Sequence, residues 1–398
     1  MKSVEIDRSK RLKDEPHTGH NRWHPDVTPI LEVGSGEEVV LQTRDAADGQ
    51  IPFGASVETA ARAARGAVHP LTGPVYVKGA GPGDLLEIEY LDIIPEPTGW
   101  TRIIPGIGFL RNVFAEPYLV HWRIKDGWAT SDSLPKVRIP AGCFMGTAGL
   151  APSRAQLEEW TRREADLLAR GGAVLPPDPT DAVPVQGPVA TEGLRTIPPR
   201  ENCGNADIKQ LTAGSKLFIP VAVPGGLYSG GDGHFAQGDS ECCITAIEIG
   251  ATVAIRFRVH QGEAGKRRIR WPRFARTDYF VSPQWAAPKR FVATVGMPIR
   301  DDGVNEGEDL TLAARNALLN MIALLQERGW TREQAYILCS VAVDLKVSNV
   351  VNTPNFGVSA FLPEDVFEGE QPSFDWSTTR VVVGSSPSAR ANLRRYRR

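Results

Sequence analysis

Short runs in which apolar and polar residues alternate, closed by Gly or Pro, recur along most of this chain and predict strands. Glu38–Gln42, Pro74–Lys78 and Leu85–Ile93 carry the pattern in the first part, with Gly81-Pro-Gly-Asp84 as the turn between the last two. Lys216–Val223, Cys242–Ile249 and Ala251–Val259 continue it. Gly250 separates the last two, and Val253, Ile255, Phe257 and Val259 should face one core. Helical spacing is rarer. Ser153 with Gln156 forms a capping box opening a charged helix that runs through Leu167 and Leu168 to Gly171-Gly172. Ala313, Ala314, Ala317, Leu318, Met321, Ile322 and Leu325 recur at three and four residues, so a second helix should bury one face before Gly329. Thr331 and Gln334 repeat the capping box, and the third helix is expected to pass into Val341–Val347. Leu175–Pro184 is Pro-rich and aperiodic, the texture of a surface connector. The expected fold is mainly β with an α+β C-terminal part. It divides into a β-sandwich or jelly-roll-like N-terminal half (1–150), a helix and Pro-rich connector (151–200), and a second β-rich half carrying two C-terminal helices (201–398).

Bulk properties narrow the class. The 398 residues, 41% hydrophobic and 23% charged, suffice for one large core or two to three modest ones. A net charge of -2 provides no long-range field for a polyanion, so nucleic acid is not an expected partner. The basic run Arg390–Arg398 reads as a solvated C-terminus. Five cysteines at 143, 203, 242, 243 and 339, none in CxxC spacing, argue against a disulfide framework or a zinc ribbon. The N-terminus lacks an apolar signal core, and no stretch approaches the ~20 apolar residues that span a bilayer. A cytoplasmic protein without a membrane partner is expected.

Tyr228–Glu241 brings Asp232, His234, Asp239 and Glu241 together with four glycines in fourteen residues. Asp232 and His234, two apart, would share a face of an extended strand. Carboxylates and an imidazole on a bendable backbone suit a metal pocket; Gly, Asp and Ser also suit a polar surface turn, and composition alone separates neither. Polar clusters recur at other predicted strand ends. His17, His20 and His24 fall within eight residues, Asp45 and Asp48 follow a strand, His69 sits on a Pro-bounded turn, and Glu201–Asp207 lays out two acids and two amides. A cysteine nucleophile is disfavoured, because Cys242 and Cys243 open a run where cysteine behaves as a small buried hydrophobe.

These stretches resemble the acetamidase/formamidase family, the metal-associated β-rich amidases. The resemblance runs in order through Gly19–Asp26, Asp45–Ile51, His69–Val77, Glu201–Asp207, Pro220–Ser229, Gly231–Glu241 and Ser340–Val347. It implies a hydrolase of small carboxamides that releases ammonia, a divalent metal with zinc ahead of calcium, and a homo-oligomer. Cys203, Pro140–Cys143 and Pro224–Ser229 depart from the family pattern and bear on pocket shape. Amide hydrolysis needs a polarised carbonyl, an activated water and a proton for the leaving amine. The expected ligand pool is His69, Asp207, Asp232 and His234, with Glu241 as proton shuttle. In the alternative, Glu241 is a ligand and Glu201 the shuttle. His20 and Asp48 are candidates for ligands or for residues behind them, and Asn202 and Asn205 for hydrogen-bond donors to the developing oxyanion. The rival class is a non-catalytic β-sandwich module with a structural calcium, which would have no need of His69 and His234.

Overall fold

A computed structural model describes residues 2–278, 288 and 290–369; the basic run at 390–398 lies outside the described residues. Among the described residues the fold is mostly β, in two large sheets, a three-stranded C-terminal one and a two-stranded pair of Arg22–Trp23 with Leu194–Arg195. The first is six-stranded, in the order Lys2–Val4, Glu38–Thr43, Ala251–His260, Leu85–Pro95, Lys216–Pro220 and Arg273–Ala275. In its centre Val253 lies opposite Leu41 on one neighbour and Ile93 on the other. Val253, Ile255 and Phe257 are buried on the inner face, as their alternation predicts, and Val259 packs half-buried at the edge of the same core. The inner face meets the second sheet, where the rings of Tyr228 and Phe257 pack edge to face at 5.2 Å.

The second sheet has eleven strands. Its spine runs Tyr118–Lys125, Thr98–Ile103, Glu248–Ile249, Tyr228–His234, Phe144–Gly149 and Cys203–Asn205, and Leu71–Val77 also pairs with Tyr228–His234. Both large sheets draw strands from either side of residues 151–200. The two β-rich halves expected from the sequence are therefore interleaved through hydrogen bonds and share one core.

All three expected helices form, as Arg154–Ala169, Leu310–Glu327 and Arg332–Ala342, and both capping boxes are present. Leu310–Glu327 buries Ala313, Ala317, Leu318, Met321, Ile322 and Leu325 against the small sheet of Phe291–Gly296, Gly357–Pro363 and Asp344–Asn349.

The strand expected at Pro74–Lys78 begins three residues earlier, at Leu71, and three other elements depart from expectation. Lys216–Val223 is a strand only to Pro220. The third helix stops at Ala342, where Val343 turns extended and the chain enters the edge strand Asp344–Asn349. Cys242–Ile249 is a strand only at Glu248 and Ile249. Its first residues are fastened to the helix Arg332–Ala342 instead. The Tyr336 hydroxyl donates to Cys242 O, while Ser340 Oγ accepts from Cys243 N at 3.1 Å and donates to Thr245 O at 2.8 Å. The apolar side chains that mimic a strand are buried beneath helices and sheet.

Candidate active site

Tyr228–His234 is neither a turn nor exposed: every residue of it is buried in the middle of the eleven-stranded sheet. Its glycines answer to close packing. A Cβ on Gly231 would lie 2.5 Å from Pro70 O, and one on Gly233 3.0 Å from Ile249 O. Between Thr147–Gly231 and Met145–Gly233 the pairing skips Gly146 and Asp232, and Asp232 takes a left-handed backbone with φ 59°. Asp207 (φ 48°) and Glu241 (φ 48°) do the same. Such conformations cost on the order of 1 kcal/mol each for a residue with a side chain and concentrate at functional sites. Here they turn three carboxylates toward one point.

That point is His234 Nε2. It lies 3.3 Å from Glu248 Oε2, 3.5 Å from Asp232 Oδ1 and 3.8 Å from Glu241 Oε1. Asp207, His234 and Glu241 form one group of converging ligand atoms, and Asp232, His234 and Glu248 a second. His69 Nε2 stands 3.7 Å from Asp232 Oδ2. Gln237 fixes the imidazole: its Nε2 donates to Asp207 O at 3.0 Å, which leaves its Oε1 to accept from His234 Nδ1 at 3.0 Å. His234 therefore carries its proton on Nδ1 and aims the other nitrogen at the carboxylates. His234 Nε2, Asp207 Oδ1, Glu248 Oε2 and His69 Nδ1 are all buried and have no hydrogen-bond partner.

The electrostatics follow from that crowding. Burial drives His234 toward its neutral form, but Glu248 and Asp232 outweigh it and raise its pKa well above the usual value. Burial pushes Asp232 up, yet His69 and His234 hold it below the usual carboxylate range. Asp207 is raised to about 7 by burial, against the pull of His234, and Glu248 to about 7 for the same reasons. Glu241 is raised well above its usual value by burial and by Asp207 beside it. Four carboxylates around two imidazoles, Asp232 and Glu248 buried and Asp207 and Glu241 half-buried, need further positive charge, as protons or as a cation. Once its second proton is given up, the Nε2 lone pair of His234 together with the converging carboxylate oxygens is a fitting ligand set for a divalent cation.

The expected residues divide on this geometry. The fold brings together His69, Asp207, Asp232, His234 and Glu241, and Asn205 lines the same cavity with its Nδ2 donating to Ile197 O at 3.1 Å. Four residues stand apart because each has structural partners. His20 is bonded to Arg22 O at 2.7 Å and Ser229 Oγ at 2.8 Å. Asp48 accepts from Leu12 N at 2.8 Å and pairs with Arg11 at 3.2 Å. Glu201 is held by the Arg163 guanidinium through both oxygens, one at 2.7 Å, and Asn202 donates to Leu150 O at 2.8 Å. Sequence reasoning missed Glu248, Gln237, Thr147 and Gly146. Glu248 carried a signal, being the one carboxylate in the apolar run 242–249. Thr147 Oγ1 lies 3.1 Å from Asp232 Oδ2 and 2.6 Å from Asn205 Oδ1.

The acetamidase/formamidase family pattern matches residues 5–369. The formamidase of Methylophilus methylotrophus is 33% identical over 401 residues, covering 96% of this chain and 97% of that protein. The acetamidase of Mycolicibacterium smegmatis is 34% identical over 361 residues, covering 84% and 87%. Among solved structures, the gamma lactamase from Delftia acidovorans superposes with a TM-score of 0.88 at 34% identity, covering 94% of this chain and 95% of that one. With residues 5–369 matched and such relatives aligned over most of their length, this chain belongs to the acetamidase/formamidase family.

Proposed function

We propose that the protein hydrolyses the C–N bond of carboxamides, releasing ammonia and a carboxylate, at the cluster around His234, and that this cluster holds a divalent cation, zinc ahead of calcium. The observation that carries the cation reading is His234 Nε2 facing three carboxylates while it, Asp207 Oδ1 and Glu248 Oε2 lack hydrogen-bond partners; a cation would take the place of the second imidazole proton that those carboxylates favour. Asp207, Asp232, His234 and Glu248 would hold it. Such a cation, once bound, polarises the amide carbonyl and brings a water's pKa down to roughly 7.

The chain's own groups do the rest. Gln237 keeps the His234 proton on Nδ1, so the ligating nitrogen stays free. Glu241 lies at the cavity wall beside Asp207, where burial and its neighbour favour the protonated form. Those surroundings raise its proton affinity, so in its ionised form Glu241 accepts a proton from water as the C–O bond forms, holds it, and returns it to nitrogen as the C–N bond breaks. His69, with burial keeping it neutral, stands beside Asp232 to orient the carboxamide.

Ammonia release from acetamide by purified protein, before and after chelation and with metal content measured, tests the reading; turnover that persists in metal-free protein removes the cation. Glu241→Gln should lower kcat by at least about 100-fold with folding and metal content retained. Unchanged turnover would take Glu241 out of the chemistry. The same reading makes the protein a cytoplasmic homo-oligomer. Five unpaired thiols, four of them buried, support the reducing compartment, the family resemblance is what supports the assembly, and sedimentation at the monomer mass would count against the assembly.

A further inference from the structure

The cavity that opens on the cluster is far larger than formamide or acetamide. Its volume is about 790 Å³, within the range of sites that take drug-sized ligands. Formamide has three heavy atoms and fills on the order of three water volumes, ~90 Å³. The cavity lining combines the cluster residues Asp207, Asp232, Glu241, Glu248 and His69 with an apolar wall of Val68, Ile104, Ile107, Phe109, Ile197 and Ile244. Ile104, Ile107 and Phe109 are half-buried, with one side against the protein and the other facing the cavity.

The wall is anchored. Phe109 N donates to Cys242 O at 2.9 Å, and the Tyr336 hydroxyl accepts from Leu110 N at 3.0 Å. Leu110 and Phe114, just behind, are buried, and Phe114 stacks on Tyr336 with ring centroids 4.3 Å apart. A loop held at both its backbone and its side chains does not collapse to fit a three-atom ligand. Three arginines also line the cavity: Arg65 and Arg111 are exposed to solvent, and Arg102 donates through Nη1 to Ala60 O at 2.5 Å and lies 5.3 Å from the Trp100 ring, with its Nε unpartnered.

We propose that the substrates are carboxamides whose acyl part is a bulky, uncharged apolar body, alicyclic or aromatic, seated on the wall of Val68, Ile104, Ile107, Phe109, Ile197 and Ile244. The inference rests on the amidase reading above. Each methylene buried against such a wall raises affinity about fourfold. Replacing methyl by cyclohexyl adds five carbons, and even with incomplete burial the gain is at least about 100-fold.

The test measures kcat/KM for ammonia release by the full-length, metal-loaded protein with formamide, acetamide, cyclohexanecarboxamide and succinamate. Cyclohexanecarboxamide should exceed acetamide by at least about 100-fold, and Ile107→Trp should cost it at least about tenfold more than it costs acetamide. Acetamide or formamide turned over as well as cyclohexanecarboxamide overturns the inference and leaves the amidase intact. Succinamate as the best substrate overturns it in favour of an anionic acyl group, and equal losses in Ile107→Trp remove the wall from specificity. No ammonia from any of the four overturns the amidase reading and the inference with it. The wild-type substrate comparison decides the matter even if the variant fails to fold.

Discussion

A methyl group on Gly146 would sit 2.7 Å from Asp207 Oδ1, 2.8 Å from His234 Cε1 and 2.9 Å from Asp232 Oδ2. Gly146 matters by what it leaves out, since its empty side is the space in which the three ligand groups converge. Gly146→Ala should therefore reduce kcat/KM by on the order of 100-fold, the cost of displacing reacting groups by about 1 Å, as steady-state kinetics would show. Full activity in that variant would show that the cluster can shift without loss. His20 makes a second prediction, about stability. Burial lowers its pKa from 6.5 to about 4, so the folded state resists the proton that the unfolded state takes up. Stability is then highest above pH ~6.5 and falls as pH drops toward ~4, by on the order of 3 kcal/mol for this group. Urea unfolding at several pH values should show that loss, and His20→Gln should flatten it. At this scale the sequence was informative where chemistry is local. Asp232 and His234, two apart, announced themselves, whereas Glu248 was hidden in an apolar run and Gly146 has no side chain to read.

Between elements, the helix Arg332–Ala342 acts as a clamp. Through the Tyr336 hydroxyl it ties Cys242, one residue after Glu241, to Leu110 at the cavity wall. Ser340 Oγ holds Cys243 N and Thr245 O, and Gly238 N donates to Ser340 O at 2.8 Å. Tyr336→Phe should thus destabilise the fold by about 1–3 kcal/mol by leaving buried backbone groups unpaired. It should also lower kcat/KM for a bulky amide by about tenfold while metal content is retained. Thermal unfolding and steady-state kinetics check the two effects; a stability loss without a kinetic one would leave Tyr336 a purely structural group. The helix itself was legible, because Thr331 and Gln334 mark its start and the apolar spacing its face. Its grip on residues 242–245 was not. Those residues alternate as a strand does, and only tertiary hydrogen bonds divert them from pairing. The same cause hid the fate of Tyr228–His234, whose glycines look like a turn until neighbouring strands press against them.

For the whole molecule, mainly β character and C-terminal helices could be read from periodicity, but the division into halves could not, because strand order leaves no trace in spacing. Ala251–His260 lies between Glu38–Thr43 and Leu85–Pro95, and its removal exposes both partners. Residues 1–150 expressed alone should therefore fail to fold, giving no cooperative thermal transition and rapid proteolysis; a cooperative, protease-resistant fragment would contradict this. Among the described residues no helix is long and apolar enough to cross a membrane.

The late arrival of that central strand sets a clock for biosynthesis. A ribosome must extrude about two thirds of the chain before Ala251–His260 exists, and until then Glu38–Thr43 and Leu85–Pro95 have open edges. Translation speed and chaperone supply over residues 96–250 should accordingly influence how much active protein a cell recovers.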